Sequence, residues 1–311
     1  MPFDRTNIKT GPAILTFGGA AMYFQNGCTI DEVVQTFDVT ADHVLAGDAR
    51  VQDRYVEISG TPSGQWTNLG VWFPWLTAAR GALAYGASDS AAVVHFVDGD
   101  KFTYHNAALV GMPDLMLSTI KSSMEGRVVL QARTKKNTLA SASNSLFTRE
   151  TASFSDTSFD WADILTPVLT LNWGSSPWDA FYTAAGVKIS AKPKWQDITA
   201  DGVGIVQRVL DGLEVTATFA PIGIAQSSID SKLLMQGAAG AMIGARRASV
   251  ASDLIISGTG LYVLMRNAFA RKANMQSGSR ARHGDLEAVA TLGVTDGAAV
   301  AQLYLGDSAP A

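Results

Sequence analysis

The chain has 311 residues, 47% of them hydrophobic and only 17% charged, with a formal net charge of −4. A charged fraction below the usual ~25% excludes a disordered chain and points to extra burial by partner subunits, and the mild acidity excludes a protein that grips nucleic acid through its overall charge. The single cysteine, Cys28, excludes an intramolecular disulfide and a cysteine-built zinc site; no run approaches the roughly 20 apolar residues of a membrane span, and Met1 to Thr16 lacks the apolar stretch of a signal peptide.

The 29 glycines and 10 prolines, scattered between short apolar runs, predict many strands joined by tight turns. In chain order the first predicted strand is Tyr55–Ser59. A helix follows over Gln65–Ala79, where Trp66, Leu69, Gly70 and Phe73 recur at helical spacing and Pro74 must end or kink it. Strands Val93–Val97 and Lys101–His105, joined by Asp98-Gly99-Asp100, set His95 and His105 across a hairpin as a half-buried pair. Arg127–Arg133 is the next strand, and the Ser-, Thr-, Asn- and Asp-rich stretch Asn137–Asp160 has the composition of a connector. Beyond it, Val187–Trp195 alternates Lys188, Ser190, Lys192 and Lys194 with Val187, Ile189, Ala191 and Trp195, and Pro193 marks an edge or a strand end. Glu214–Phe219, a second helix over Ala225–Gln236, and strands Asp253–Ser257, Leu261–Met265, Leu286–Leu292 and Val300–Leu305 complete the reading. The class is mainly β.

An internal repeat organises these elements. Shifted by 159 positions, Tyr23–Gly64 lies on Tyr182–Gly223 without a gap, with eleven identities in 42 positions. Asp38-Val-Thr-Ala-Asp42 answers Asp197-Ile-Thr-Ala-Asp201, and Pro62-Ser-Gly64 answers Pro221-Ile-Gly223. A weaker match sets Gly126–Ala132 on Gly284–Ala290 at a shift of 158. The pattern predicts two tandem copies of a small β domain, joined in the connector.

Chemical signatures are missing where an enzyme would show them. The four histidines, His43, His95, His105 and His283, form none of the usual metal-ligand spacings. There is no nucleophile elbow, no phosphate-binding loop and no dinucleotide fingerprint. Gly258-Thr-Gly260 reads as a turn, and Cys28 reads as a small packed thiol. No catalytic residue, metal or cofactor is predicted. The seven tryptophans, Trp66, Trp72, Trp75, Trp161, Trp173, Trp178 and Trp195, read as core or interface anchors, with stacking platforms of a carbohydrate-binding module as the alternative.

Charge is distributed unevenly. Between Cys28 and Ile58 lie seven acids and two arginines; between Leu254 and Gly284 lie five Lys and Arg and no acid. An acidic lobe and a basic segment on one chain predict head-to-tail self-association, which makes rings if it closes and filaments if it does not.

Gly11-Pro-Ala-Ile-Leu-Thr-Phe-Gly-Gly-Ala-Ala-Met-Tyr-Phe-Gln-Asn-Gly27, Thr36-Phe-Asp-Val-Thr-Ala-Asp42, Thr61-Pro-Ser-Gly-Gln-Trp66, Gly111-Met-Pro-Asp-Leu115 and Phe154-Ser-Asp-Thr-Ser-Phe159 resemble the major tail tube proteins of long-tailed, non-contractile bacteriophages. The resemblance implies a fold shared with contractile-tail and type VI secretion tubes: a β-sandwich or barrel with one flanking helix. Combined with the repeat, it sets a first such domain, with an N-terminal arm, at 1–150 and a second, with a short C-terminal tail, at 151–311. Six domains per ring, stacked, form a hollow tube for DNA passage. With two domains per chain a ring needs three chains, a pseudo-hexameric homotrimer, where single-domain relatives form homohexamers. The implied partners are the chain itself, a tape-measure protein, a tail terminator and baseplate or distal tail proteins, with genomic DNA in transit and no membrane. The implied place is the virion tail, assembled in the host bacterial cytoplasm. The alternative is another β-rich virion protein, a capsid decoration or fibre-type subunit. For ring stacking, the expected contact sets Asp38, Asp42, Asp48 and Asp53, with Asp197 and Asp201, against Arg271, Lys272, Arg280 and Arg282 of the next ring.

Overall fold

The computed structural model describes residues 13–39, 48–63, 69–76, 78, 80–85, 90–118, 123–133, 146–154, 170–174, 180–200, 204–222, 252–258, 261–275, 283–291, 294–295, 298–299, 303–306 and 309. The first half of the chain opens with β1 (Ala13–Phe17), β2 (Ala20–Met22), β3 (Phe24–Val39) and β4 (Asp48–Pro62). A four-residue helix α1 (Leu69–Trp72) and a 3-10 turn (Pro74–Leu76) follow, then β5 (Ala92–Phe96), β6 (Asp100–Tyr104) and β7 (Ala107–Gly111). The hairpin β8 (Asp114–Leu117) and β9 (Ser123–Glu125) precedes β10 (Val128–Ala132) and β11 (Phe147–Thr151). The second half contains β12 (Thr170–Trp173), β13 (Ala180–Ala200), β14 (Gly204–Ile222), β15 (Ser252–Gly258), β16 (Leu261–Met275) and β17 (His283–Thr291). The short pair β18 (Val294–Thr295) and β19 (Ala298–Ala299) leads to β20 (Leu303–Gly306).

Pairing closes the second half on itself. β12, β15, β16, β17, β14 and β13 are antiparallel neighbours in that order, and β13 returns to β12 through Leu171–Phe181 and Asn172–Ala180. Closure pairs the ends of the circuit, which is how a barrel disposes of sheet edges, while β13 beyond Ile189 keeps one side without a described partner. In the first half the same circuit runs β1, β5, β6, then β7, β10, β4, β3, and through Tyr23 to β2, which pairs with β1. It is interrupted at Tyr23 and at His105–Asn106, so its strands form two sheets where the second half has one.

The two circuits agree in register. Cys28 faces Gly60 as Val187 faces Phe219, and Gln35 faces Asp53 as Lys194 faces Gly212. Both hairpins then slip by one residue at the same point, Thr36 meeting Val51 and Trp195 meeting Leu210. Both carry a positive-φ glycine at the first irregularity, Gly27 at 76° and Gly186 at 92°. Val128 faces Gly60 as Leu286 faces Phe219, which is the weaker sequence match at its shift of 158. The next slip recurs as well, between Gly111 and Leu109 opposite β10 and between Lys272 and Ala270 opposite β17. Among the described residues the two positive-φ residues other than glycine, Asn106 at 46° and Asn267 at 52°, occupy the same bend; asparagine is the non-glycine side chain that tolerates this region best.

Local physics explains the strands. Along β14, Leu213, Val215, Ala217 and Phe219 are buried while Glu214, Thr216 and Thr218 are half-exposed, the period-two pattern of a sheet with one packed face. Such residues join one cluster running from Leu15 and Trp72 to Trp173 and Leu303. Of the predicted helix over Gln65–Ala79, the described residues place α1 at Leu69–Trp72, and Pro74 stops it and turns the chain into the 3-10 segment; residues 65–68 and the helix expected at Ala225–Gln236 lie outside the described residues. His95 and His105 do not face each other. His95 lies opposite Lys101 and its ring meets Phe154, whereas His105 falls past the end of β6 and is buried. The expected connector contains β11, which pairs with β6 of the first half. Pro193 faces Leu213 on β14, and no described strand pairs with β13 on its other side there, so the proline sits on an edge.

Candidate assembly interface

Among the described residues, polar and aromatic contacts between distant segments gather at the seam where the first half meets the second. Its backbone element is β8, which adds to β13 with Leu115, Met116 and Leu117 opposite Ile189, Lys188 and Val187. The hairpin β8–β9 thus belongs by sequence to the first half and by pairing to the second. Close approach is possible because residue 186 is glycine. A Cβ there would sit 2.3 Å from the Leu117 carbonyl oxygen and 2.7 Å from Ser118 Cβ, and its φ of 92° already favours glycine. Lys188 Nζ reaches Asp114 at 2.8 Å and Glu125 at 3.8 Å, tying both strands of the hairpin to β13. Burial pushes the Asp114 carboxyl up, but hydrogen bonds from Lys188 and Ser190 outweigh it and hold the group below its ordinary range. The Asp114 hydrogen bond correspondingly raises Lys188.

A second strip of the first half, residues 80–85, lies along β14. Gly81 N–H donates to the Leu210 carbonyl, Leu210 N–H to Ala82, and Ala84 N–H to Arg208, a short antiparallel ladder centred on Leu83 and Val209. Gln207 closes it by accepting from Tyr85 N–H at 3.0 Å and donating to the Tyr85 carbonyl at 2.7 Å. Arg208 donates to Gln131 of the first half and to Asp197 of the second. Trp75 and Trp195 meet edge to face at 6.3 Å, and Trp195 Nε1 donates to the Val110 carbonyl.

Beneath this seam is a buried ion pair. Arg133, 2% exposed, donates to Asp53, 4% exposed, at 2.8 Å, to Tyr85 Oη, and to the Ile205 carbonyl on β14. Tyr55 and Tyr85 present their rings to the guanidinium at 5.2 and 5.7 Å. Burial would lower the arginine, but the hydrogen bond to Asp53 and the contacts with Tyr85 and Asp53 hold it above its ordinary value. Asp53 Oδ2 and Arg133 Nη2 remain without partners. The register equivalents in the second half are Gly212 and Thr291, so this pair has no counterpart there.

The residues expected at the ring-stacking contact are placed unevenly. Asp53 is corrected: it is buried against Arg133 and is not part of an acidic surface, because a cation 80 residues away along the chain claims it. Asp38 and Asp48 belong to the far end of the β3–β4 hairpin, opposite Ala49 and Val39. Asp197 is exposed and paired with Arg208. Arg271 is held on the outer face by Glu214 at 2.8 Å and by Glu287, so it enters a new contact only by exchanging partners. Lys272 is exposed. Asp42, Asp201, Arg280 and Arg282 lie outside the described residues. The seam is not legible in the sequence; of its residues, Trp75 and Trp195 read only as two of seven anchors and Gly186 as a glycine within the repeat.

The four described tryptophans, Trp72, Trp75, Trp173 and Trp195, each donate their indole N–H to a backbone carbonyl of another element. Cys28 is half-buried, and burial raises its thiol. Among the described residues no group of three or more His, Cys, Asp or Glu is placed to hold a metal ion, and no helix is long and apolar enough to cross a membrane. No protein-family model matches the chain, and neither does any curated protein.

Proposed function

We propose that the chain is a self-assembling subunit of a hollow tail tube of the kind built by long-tailed, non-contractile bacteriophages. Two tandem copies of one small barrel, 1–150 and 151–311, arose by duplication, and three chains make a ring of six such units. The observation that carries the reading is the seam. It is a heterologous contact between two halves that share one register, and repetition of such a contact generates a ring or a filament. The tube acts by enclosing DNA in transit and performs no bond-making chemistry. Its net acidity serves that task, because each neutralised phosphate adds affinity and hinders sliding. Tape-measure, terminator and distal tail proteins set its length and ends, and assembly takes place in the bacterial cytoplasm before the virion is complete.

Stacking of rings sets the acidic end of the β3–β4 hairpin against Arg271, Lys272, Arg280 and Arg282. Single exposed ion pairs contribute only ~0–1 kcal/mol, so the contact depends on repetition around the ring. Negative-stain images of the purified chain, rotationally averaged, test the whole reading: tubes of uniform bore with three chains about the axis are expected, and shells, isolated fibres or a lasting monomer refute it. Changing those four basic residues to Glu is expected to shorten the tubes, and unchanged length and yield refute the stacking contact alone.

A further inference from the structure

We infer that the outer edge of β3, around Gly27–Glu32, is the docking site for a second copy of this chain, whose second half adds to it as β8 adds to β13. The inference rests on the reading of the chain as a ring-forming subunit and names the contact through which one chain joins the next.

The argument comes from what covers β13 and leaves β3 open. Gly27, Cys28, Thr29, Ile30, Asp31 and Glu32 stand at the register positions of Gly186, Val187, Lys188, Ile189, Ser190 and Ala191. On β13, β8 pairs with Val187, Lys188 and Ile189, and Val187 and Ile189 are 0% exposed. On β3, Thr29, Asp31 and Glu32 are exposed, Cys28 and Ile30 are only half-buried, and no described strand pairs with that edge. The two glycines make the contrast sharper. Both have positive φ, yet a Cβ on Gly186 would strike Leu117 and Ser118, whereas nothing lies within 4 Å of a Cβ on Gly27. β3 is thus built to the pattern of a strand that is approached closely, and among the described residues no segment of its own molecule makes that approach.

Charge selects the occupant. Asp114 and Glu125 of the β8–β9 hairpin are matched on β13 by Lys188, flanked by Ser190 and Ala191. On β3 the corresponding positions are Thr29, Asp31 and Glu32, so a β8–β9 hairpin from another copy would meet like charge. The mismatch disfavours reciprocal exchange of hairpins and leaves the edge to the other half of the next chain, the head-to-tail arrangement that closes a ring. An open strand edge of this length is a liability that folded proteins otherwise blunt or cover.

The test uses the full chain. Wild-type protein is assembled by raising its concentration, followed by sedimentation velocity, and Cys28, its sole thiol, is alkylated before and after. Assembly is expected to slow alkylation about tenfold or more, as for a group moved from an open edge into a paired one. The variant Gly27→Asn, which keeps a residue tolerant of positive φ and fills the space where the approaching strand must pass, is expected to fold by far-UV circular dichroism and to stay dissociated. If wild-type chains assemble while Cys28 reacts as before, or folded Gly27→Asn assembles like wild type, the edge is not the docking site and the tube reading survives. Should Gly27→Asn not fold, the Cys28 rates decide alone. A wild-type chain that remains monomeric at every concentration overturns both.

Discussion

Replacing Arg133 with Leu removes one member of a buried ion pair and leaves the Asp53 carboxylate in an apolar site. Four contacts are lost together: the 2.8 Å bond to Asp53, the bond to Tyr85 Oη, the bond to the Ile205 carbonyl across the seam, and the guanidinium between the rings of Tyr55 and Tyr85. Breaking a buried pair by deleting one partner costs about 3–5 kcal/mol. With an unfolding entropy of ~2.1 cal/mol/K per residue, 311 residues melting as one unit give about 0.65 kcal/mol/K, so a 4 kcal/mol loss lowers Tm by about 6 °C. If the first half melts by itself, its entropy is roughly half as large and the shift about twice as great. Differential scanning calorimetry of Arg133→Leu, Asp53→Leu and the double variant reads both quantities. The double variant is expected to recover most of the loss, since removing both charges leaves nothing uncompensated. A single Arg133→Leu variant within 1 kcal/mol of wild type would falsify the claim that this pair holds the seam. So would additive losses in the double variant.

Gly186→Ala is expected to cost more than Gly27→Ala. Each pays for a positive φ, about 1–2 kcal/mol, but only the first also drives a Cβ into the Leu117 carbonyl; urea unfolding compares them, and equal losses refute the close approach. The Tyr104 phenol, pushed up to about 12 by burial and by the nearby Cys28, should titrate there in ultraviolet absorbance. Because its folded value lies above the unfolded one, its contribution is complete below about pH 10 and is lost as pH rises toward 12; a phenol titrating near 10 in the folded chain refutes the assignment. Asp114 has the opposite sign. Its lowered value makes the Lys188 contact fully stabilising at neutral pH and weakening as pH falls below about 4, so hydrogen exchange at Val187–Ile189 should accelerate there in wild type and not in Asp114→Asn.

The sequence carries the β class because it depends on short-range pattern. Alternation in Val187–Trp195 and the ungapped match of Tyr23–Gly64 to Tyr182–Gly223 survive as paired hairpins with shared slips. The correspondence of β1 with β12 and of β6–β7 with β16 escapes sequence matching, because loops of different length change the offset and Leu, Ile, Phe and Trp replace one another on a buried face. Asp53 is read as surface acid because nothing near it in sequence reveals Arg133. His95 and His105 are misplaced because the register of β5 on β6 ends at Tyr104, one residue short of the second histidine. The seam depends on residues 80–85 and on β8, segments too short to show a periodicity.

The buried pair of Asp53 and Arg133 has Gly212 and Thr291 at its equivalent positions. A ring made from one repeated module must place the same residue at every station, so any change is imposed on all of them at once. A covalently joined pair escapes that constraint. In the proposed ring, one junction would then be welded permanently while the other stays reversible, and the wall would alternate two chemistries around its circumference without a second gene product.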